Sequence, residues 1–559
     1  MRKTRRSSRR WVYKKELRKA VRTVLQVIIL IFIGYQAVTA LTTFNKYVPS
    51  DKTDWTNDRS FVAISYFGIA RSASADHVAK NELDAQLKAL SDHGYETISQ
   101  QDIINFYTKN EPLPEKALFL AFEDGRNDSA LFSTKLLEKY NFKATMFSYA
   151  NKMGNDKSKF LQPKELLSMQ KNGYWELGSN GYRLAYINII DKDRLYFPLL
   201  EQEQFANKAD AFYYTHYLMD FIRDEYNIPL ENREQMEERI NTDYSLMKQI
   251  YNDTLGYMPK TYMIMHADFL YNGMHHLVEN VNDLNIKDNF ELHFNREGNM
   301  LNTKERDRYN LTRVQPAPYW RTNHLLMKLK VDTGQQVNFV VGDKNEAAKW
   351  TVSNGVAEFA EEEIILTTLP ENKASMTINE LNLNEPFSFS VTLSGHNSGV
   401  QYIQLGQSSN QELKLQLRLQ DDTIYIEYID ANCEVERLTA VRGKDNALDD
   451  IPIKLTVINH KLTVEVKHNV IMKDEPLKQE LSKWRLSLEA QSLNEENRWE
   501  DDGEHIYDGI FKQIKIVKLN EDGKAVEVLY SNLLFGIKHW LFTLDTYYNK
   551  LIDWAIETF

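Results

Sequence analysis

At 559 residues, with 42% hydrophobic and 26% charged residues, the chain has the composition of ordinary globular protein and the length for two or three domains. Its formal net charge of −11 is unevenly spread, because residues 1–22 carry eleven Lys/Arg and one Glu while the rest is strongly acidic. So acidic a body argues against nucleic acid or another polyanion as the main partner, and the single cysteine, Cys433, excludes an intramolecular disulfide and any cysteine-based metal cluster.

The first elements read as an anchor. Residues 1–22 form a basic tail, and residues 23–45 contain no charged side chain and are long enough to cross a hydrocarbon core as one helix. The basic excess lies on the N-terminal side, so the expectation is an uncleaved signal anchor in a cell membrane, with a cytoplasmic tail and an extracytoplasmic body. A cleaved signal peptide is the alternative; the apolar run is long for one and lacks a convincing small-x-small cleavage site. An exported chain without disulfides suits a bacterial surface.

Residues 46–60 read as a linker. The apolar run 61–66 is a strand by its β-rich composition. Leu83, Leu87 and Leu90 stand at helical spacing before a stop at Gly94. Residues 95–98 read as a short strand, and Ser99 is placed to cap a helix beginning near Gln101. The apolar run 117–122 then ends abruptly in Glu123, Asp124 and Gly125. That is the pattern of a buried parallel strand whose carboxyl end opens into a site, where α/β folds hold their ligands. The same pattern also fits a strand followed by an ordinary polar turn. Strand and helix keep alternating through this opening stretch, which argues for a parallel α/β sheet or barrel.

Further on, residues 212–224 are expected to be helical, with His216 and Asp220 four apart on one face. Such a pair binds a metal or serves as a surface pair. The tyrosines around it suit sugar stacking or a packed core. An apolar strand ends at His266 and Asp268, which would supply a ligand or base, or act as hydrogen-bonded scaffold. Residues 311–315 read as the last strand of this unit. From about residue 336 the rhythm becomes strand after strand: 387–393, 411–420, 423–429, a hairpin of 453–458 and 461–466 around Asn459 and His460, then 484–489 and 510–518. Period-two patterning with tight turns argues for an antiparallel β-sandwich. Trp484, Trp499 and Tyr507 are sugar platforms or core. The final stretch, 531–559, repeats apolar residues at helical spacing, as an amphipathic helix that packs on the domains or lies on the membrane.

Three short segments carry a resemblance. Ala-Phe-Glu-Asp-Gly at 121–125, Phe-Lys-Ala-Thr-Met-Phe at 142–147 and Gly-Tyr-Trp-Glu-Leu-Gly-Ser-Asn at 173–180 resemble, in order, the motifs of the polysaccharide deacetylase family (the NodB homology domain). The resemblance implies a distorted β/α barrel over 61–318, a linker at 319–335, and metal-assisted hydrolysis of an N- or O-acetyl group. It matches Glu123 to the family's general base and Asp124 to its metal aspartate. Where the family has two histidines, this chain has Asn180 and Leu184. Leucine cannot bind a metal, and asparagine is a poor zinc ligand. The segment 336–530 is similar in architecture to concanavalin/laminin-G jelly rolls, which occur among carbohydrate-binding modules.

The expected catalytic set is Glu123, Asp124, His266 and Asp268; if a divalent ion (zinc or similar) is held, its expected ligands are Asp124, Asn180 and His216. The resemblance implies a carbohydrate deacetylase working on a cell-surface or exported polysaccharide, in contact with the membrane and with polysaccharide synthesis or export machinery. Two alternatives remain open at this point: an inactive deacetylase-like protein that binds polysaccharide, and a metal-independent glycoside hydrolase using Glu123, Asp124 and Asp268.

Overall fold

The computed structural model describes residues 22–24, 26–27, 31, 46–154, 159–191, 193–201, 211–264, 270–271, 273–384, 386–406, 413–430, 432, 434–478, 484–493 and 505–534. Nearly all of the expected anchor lies outside these residues, as do Trp499, Cys433 and residues 535–559. Among the described residues no helix is long and apolar enough to cross a membrane.

The first unit is a nearly closed barrel of seven parallel strands: β1 (Ser60–Tyr66), β2 (Ala117–Phe122), β3 (Ala144–Tyr149), β4 (Trp175–Gly181), β5 (Thr261–Met263), β6 (Leu292–Arg296) and β7 (Leu311–Thr312). They pair in that order, and a parallel bridge between Ile64 and Val314 brings the chain after β7 back beside β1. The Ser65 N–H donates to the Val314 carbonyl at 2.9 Å, and the Val314 N–H donates to the Ala63 carbonyl at 3.1 Å. Helices Lys80–Asp92, Asn127–Tyr140, Arg233–Leu255, His276–Asn289 and Thr322–Thr333 clothe the outside; the last of them replaces the linker expected at 319–335, because Leu325, Leu326 and Leu329 bury against the barrel. Leu83, Leu87 and Leu90 are all buried against it. Ser99 caps helix Gln100–Lys109 in a reciprocal capping box with Asp102.

Successive residues of a strand point to opposite faces, and the burial of each barrel strand divides accordingly. Val62, Ile64, Leu118, Leu120 and Phe122 join the outer core under the helices. Phe61, Ala63, Phe119, Ala121, Phe147, Met263 and Phe294 form a separate inner core. Phe119 stacks on Phe294 with ring centroids 4.7 Å apart and a 10° interplanar angle. One step further along the same inward face come Ser65, Glu123, Tyr149, Asn180 and Arg313, so the barrel is plugged by apolar rings below and polar groups above.

Residues 212–224, expected to be helical, are not a helix. Ala211–His216 is a strand, paired antiparallel with Ala185–Asp191 in a three-stranded sheet completed by Tyr196–Glu201. The physical reason is composition: Phe212, Tyr213, Tyr214 and Thr215 are aromatic or β-branched and pack better on a pleated surface than on a helix, and the Ile-rich strand 185–191 offers that surface. After His216 the chain turns, and Asp220 pairs with Arg223 at 2.9 Å. His216 and Asp220 therefore do not share a helix face.

The second unit consists of two antiparallel sheets, of seven and eight strands, facing each other across one apolar core. The expected hairpin is present as Ile451–Ile458 paired with Lys461–Val466. Trp484 and Tyr507 are buried as members of that core.

On the outer face of β6, His293 is fully buried and stacks on Tyr262 with centroids 5.0 Å apart. Burial pushes its pKa down to about 3, against an ordinary value near 6.5 in the unfolded chain. Between those values only the unfolded chain takes up the proton, so this residue's contribution is complete above about pH 6.5 and is lost as the pH falls toward 3. Urea denaturation at stepped pH should show the wild type losing stability relative to His293→Phe by up to about 1.4 kcal/mol per pH unit below pH 6.5. Parallel profiles would disprove the assignment.

Candidate functional site

The carboxyl ends of the barrel strands gather the groups singled out in the sequence. Glu123, one residue beyond β2, continues the inward face and is completely buried. Its N–H donates to the Tyr66 carbonyl at 3.0 Å, which holds it beside β1. Its carboxylate meets the guanidinium of Arg313, also completely buried, with Nε donating to Oε1 at 3.0 Å and Nη2 donating to Oε2 at 3.4 Å. Gln315 Nε2 donates to Oε1 at 3.2 Å, and Ser65 Oγ donates to the same oxygen. Arg313 Nη2 also donates to Glu297 Oε1 at 2.6 Å. Buried charges persist only when paired and hydrogen-bonded, and both conditions hold here. Glu123 thus stitches the seam where β1, β2 and the segment after β7 close the barrel.

Asp124 takes a left-handed backbone, φ +66°, followed by Gly125 at φ +63°. A side chain at 125 would place its Cβ 2.8 Å from Ser148 Cβ, so glycine is required there. A non-glycine residue in this region is uncommon, and such strain concentrates at functional positions. Asn180, at the end of β4, holds the turn: its Oδ1 accepts the Asp124 N–H at 3.1 Å, and its Nδ2 donates to the Met263 carbonyl of β5 at 2.8 Å. The side chain resembled to a metal ligand therefore works as a brace between main-chain groups of two strand ends.

Leu184 packs into an apolar cluster with Tyr149, Tyr186 and Ile189. Burial, and then the charge of Asp124, hold the Tyr149 hydroxyl well above the ordinary tyrosine range. His216, at the end of its strand, is buried and its Nδ1 accepts the Leu218 N–H at 3.2 Å. His266 and Asp268 lie outside the described residues. Among the described residues no three His, Cys, Asp or Glu side chains converge on a metal-sized space. With an amide committed to main chain and a leucine in the two positions that should supply imidazoles, the described donor set does not fit a divalent ion.

The sequence reading placed Glu123, Asp124 and Asn180 together, and the structure does so too. It missed Ser65, Arg313 and Gln315. A signal was available, since the inward period running from Leu311 falls next on Arg313 and Gln315, and a charged residue on the inward face of a barrel strand needs a partner.

The fold is thus a parallel barrel with an acidic pair at its strand ends, set beside a β-sandwich. Residues 110–267 match the family model described as polysaccharide deacetylase. The chain is 28% identical over 110 residues to YxkH, named as a polysaccharide deacetylase, of Bacillus subtilis (strain 168); the match covers 20% of this chain and 38% of the relative. It is 23% identical over 137 residues to the poly-beta-1,6-N-acetyl-D-glucosamine N-deacetylase of Staphylococcus aureus (strain MSSA476), covering 24% and 46%. The matches thus span less than half the length of either relative. Among solved structures, a de-N-acetylase from Aggregatibacter actinomycetemcomitans superposes with a TM-score of 0.36 at 17% identity, over 47% of this chain and 96% of that one.

The seam is open to a direct test. Arg313→Met leaves the Glu123 carboxylate buried without its counter-charge and should cost about 3–5 kcal/mol in urea denaturation. Adding Glu123→Leu should recover part of that loss, because no orphaned charge then remains. Additive losses would show that the two side chains act independently.

Proposed function

We propose that this protein recognises an N-acetylated cell-surface or exported polysaccharide through a deacetylase-like barrel without hydrolysing it. One observation carries the reading. At the two positions resembled to metal-binding histidines, Asn180 spends its amide on the Asp124 N–H and the Met263 carbonyl, and Leu184 is packed among aromatic rings. The residue matched to the base, Glu123, supports it, because four donor atoms on three side chains already claim its carboxylate. General base catalysis needs a carboxylate free to take a proton from water. The same engagement argues against a metal-independent glycosidase, which needs two carboxyl groups across an open cleft.

The named poly-N-acetylglucosamine deacetylase among the relatives supports an N-acetylated glycan as the ligand class. The basic residues 1–22 ahead of the uncharged stretch 23–45 support anchorage in a bacterial membrane with the body outside. That location would bring the protein to the machinery that makes or exports the polymer.

A second reading, acetyl hydrolysis with replacement ligands, is favoured by the left-handed Asp124, since strained backbone of this kind is kept where geometry matters. Metal analysis of the full-length protein, together with acetate release and pull-down on poly-β-1,6-N-acetylglucosamine and on an O-acetylated glycan, separates the two. The expected outcome is glycan binding with no stoichiometric metal and no acetate. Stoichiometric metal with acetate release that disappears in Asp124→Ala would replace the recognition reading with the catalytic one.

A further inference from the structure

The barrel and the sandwich meet over a cleft of about 850 Å³ that is lined by side chains of both units. Neither Glu123 nor Asp124 lines it. Its floor is a polar network crossing the boundary. Asp508, on a sandwich strand, accepts the Arg321 N–H at 2.9 Å and Thr367 Oγ1 at 2.6 Å, and pairs with His324 Nδ1 at 3.1 Å. The Arg321 guanidinium reaches back to Glu82 of the barrel side at 3.3 Å and across to Glu363 of the sandwich at 2.9 Å. These groups are tied to one another, so the floor is rigid and its hydrogen-bonding directions are set in advance.

Two further features bear on what would bind there. The acids lining the cleft already have partners within the protein: Glu82 with Arg321, Asp508 with His324, Asp84 with Lys139 at 2.7 Å and Asp450 with Lys512 at 3.0 Å. None of them needs a bound cation. On the wall, Tyr319 of the barrel side lies flat against His396 of the sandwich, with ring centroids 3.9 Å apart and an interplanar angle of 5°. His396 is oriented in turn by the Ser398 N–H, which donates to its Nδ1 at 3.2 Å. The two half-buried rings form a two-layered aromatic plate, each covering one face of the other, that neither unit could build alone.

From the preorganised polar floor, the compensated acids and the flat aromatic plate, we infer that the cleft between barrel and sandwich is a binding site for a neutral oligosaccharide. A sugar ring carries an apolar C–H face and a rim of hydroxyls; the plate suits the first and the floor and rim suit the second. The volume falls within the range of roughly 300–1,000 Å³ typical of small-molecule sites. The inference extends the polysaccharide reading above by placing a second contact with the polymer away from the strand ends.

Hydrogen–deuterium exchange of the full-length protein tests it, with neutral N-acetylglucosamine oligomers, neutral glucose oligomers and acidic uronate oligomers as separate probes. The expected result is protection by a neutral oligomer of peptides covering 79–84 and 394–398. Tyr319→Ala should weaken that binding roughly tenfold or more, and Tyr319→Phe should restore it. Asn81→Trp, at an exposed lining position, should obstruct the cleft and weaken oligomer binding while leaving the Asp508–Arg321 network in place. Protection confined to 121–126 and 179–184 would overturn the cleft site and leave the polysaccharide reading standing. Cleft protection by glucose oligomers alone would support the site and count against an N-acetylated polymer. Protection only by uronate oligomers, or by none of the three probes, would overturn the inference.

Discussion

The ion pair between Glu123 and Arg313 is the constraint on which the barrel depends. Both groups are withdrawn from water, which costs several kcal/mol for each charge, and the cost is offset only because the geometry is nearly saturated. Glu123 accepts from Arg313, Gln315 and Ser65, while Arg313 also holds Glu297. These donors come from β1 and from the segment after β7, the two edges that must meet for the barrel to close. A hydrophobic pair could plug the same space, but it would not set the register of the closing strands in the same way. Closure and the occupation of the acidic side chain are therefore one event.

That coupling ties the strand-end side chains to the fold itself. The strand-end turn at Asp124 and Gly125 is strained, and something must hold it. Asn180 does so with a neutral amide that donates and accepts at once, a combination that neither a carboxylate nor a metal-bound imidazole provides. Leu184 extends the neighbouring apolar cluster of tyrosines. The substitutions that remove the expected metal ligands thus leave the strand ends braced and packed. Fold and chemistry are separable here because the side chains that face the site are not those that fill the two cores.

The sandwich is joined to the barrel by a polar network centred on Asp508 and Arg321, and not by a shared apolar core: the two large apolar clusters remain distinct. A charged, hydrogen-bonded boundary fixes the relative placement of the two units through direction, whereas an apolar one would fix it mainly through shape. It also leaves a polar cleft at the junction.

Much of this organisation was legible in the sequence. The unbroken apolar run before Glu123, the leucine spacing before Gly94, the Ser99 cap and the alternating strands after residue 336 each reflect a local rule of period, capping or turn chemistry. The segment 212–224 was misread because His216 and Asp220 stand at helical spacing, while the aromatic and β-branched residues ahead of them favour a strand that could form only beside the separate strand 185–191. The partnership of Glu123 with Arg313 spans 190 residues, so local period could mark Arg313 as an inward charge in need of a partner but could not say which residue that partner is. By itself the sequence determined the strand–helix alternation up to residue 147, the acids at the end of the apolar run 117–122 and the absence of the histidine pair, because these depend on near neighbours along the chain. Only the tertiary structure decided that Glu123 is a buried ion partner, that Asn180 is a brace, and that a cleft lies between the two units. Each of these depends on which distant strands become neighbours when the barrel closes.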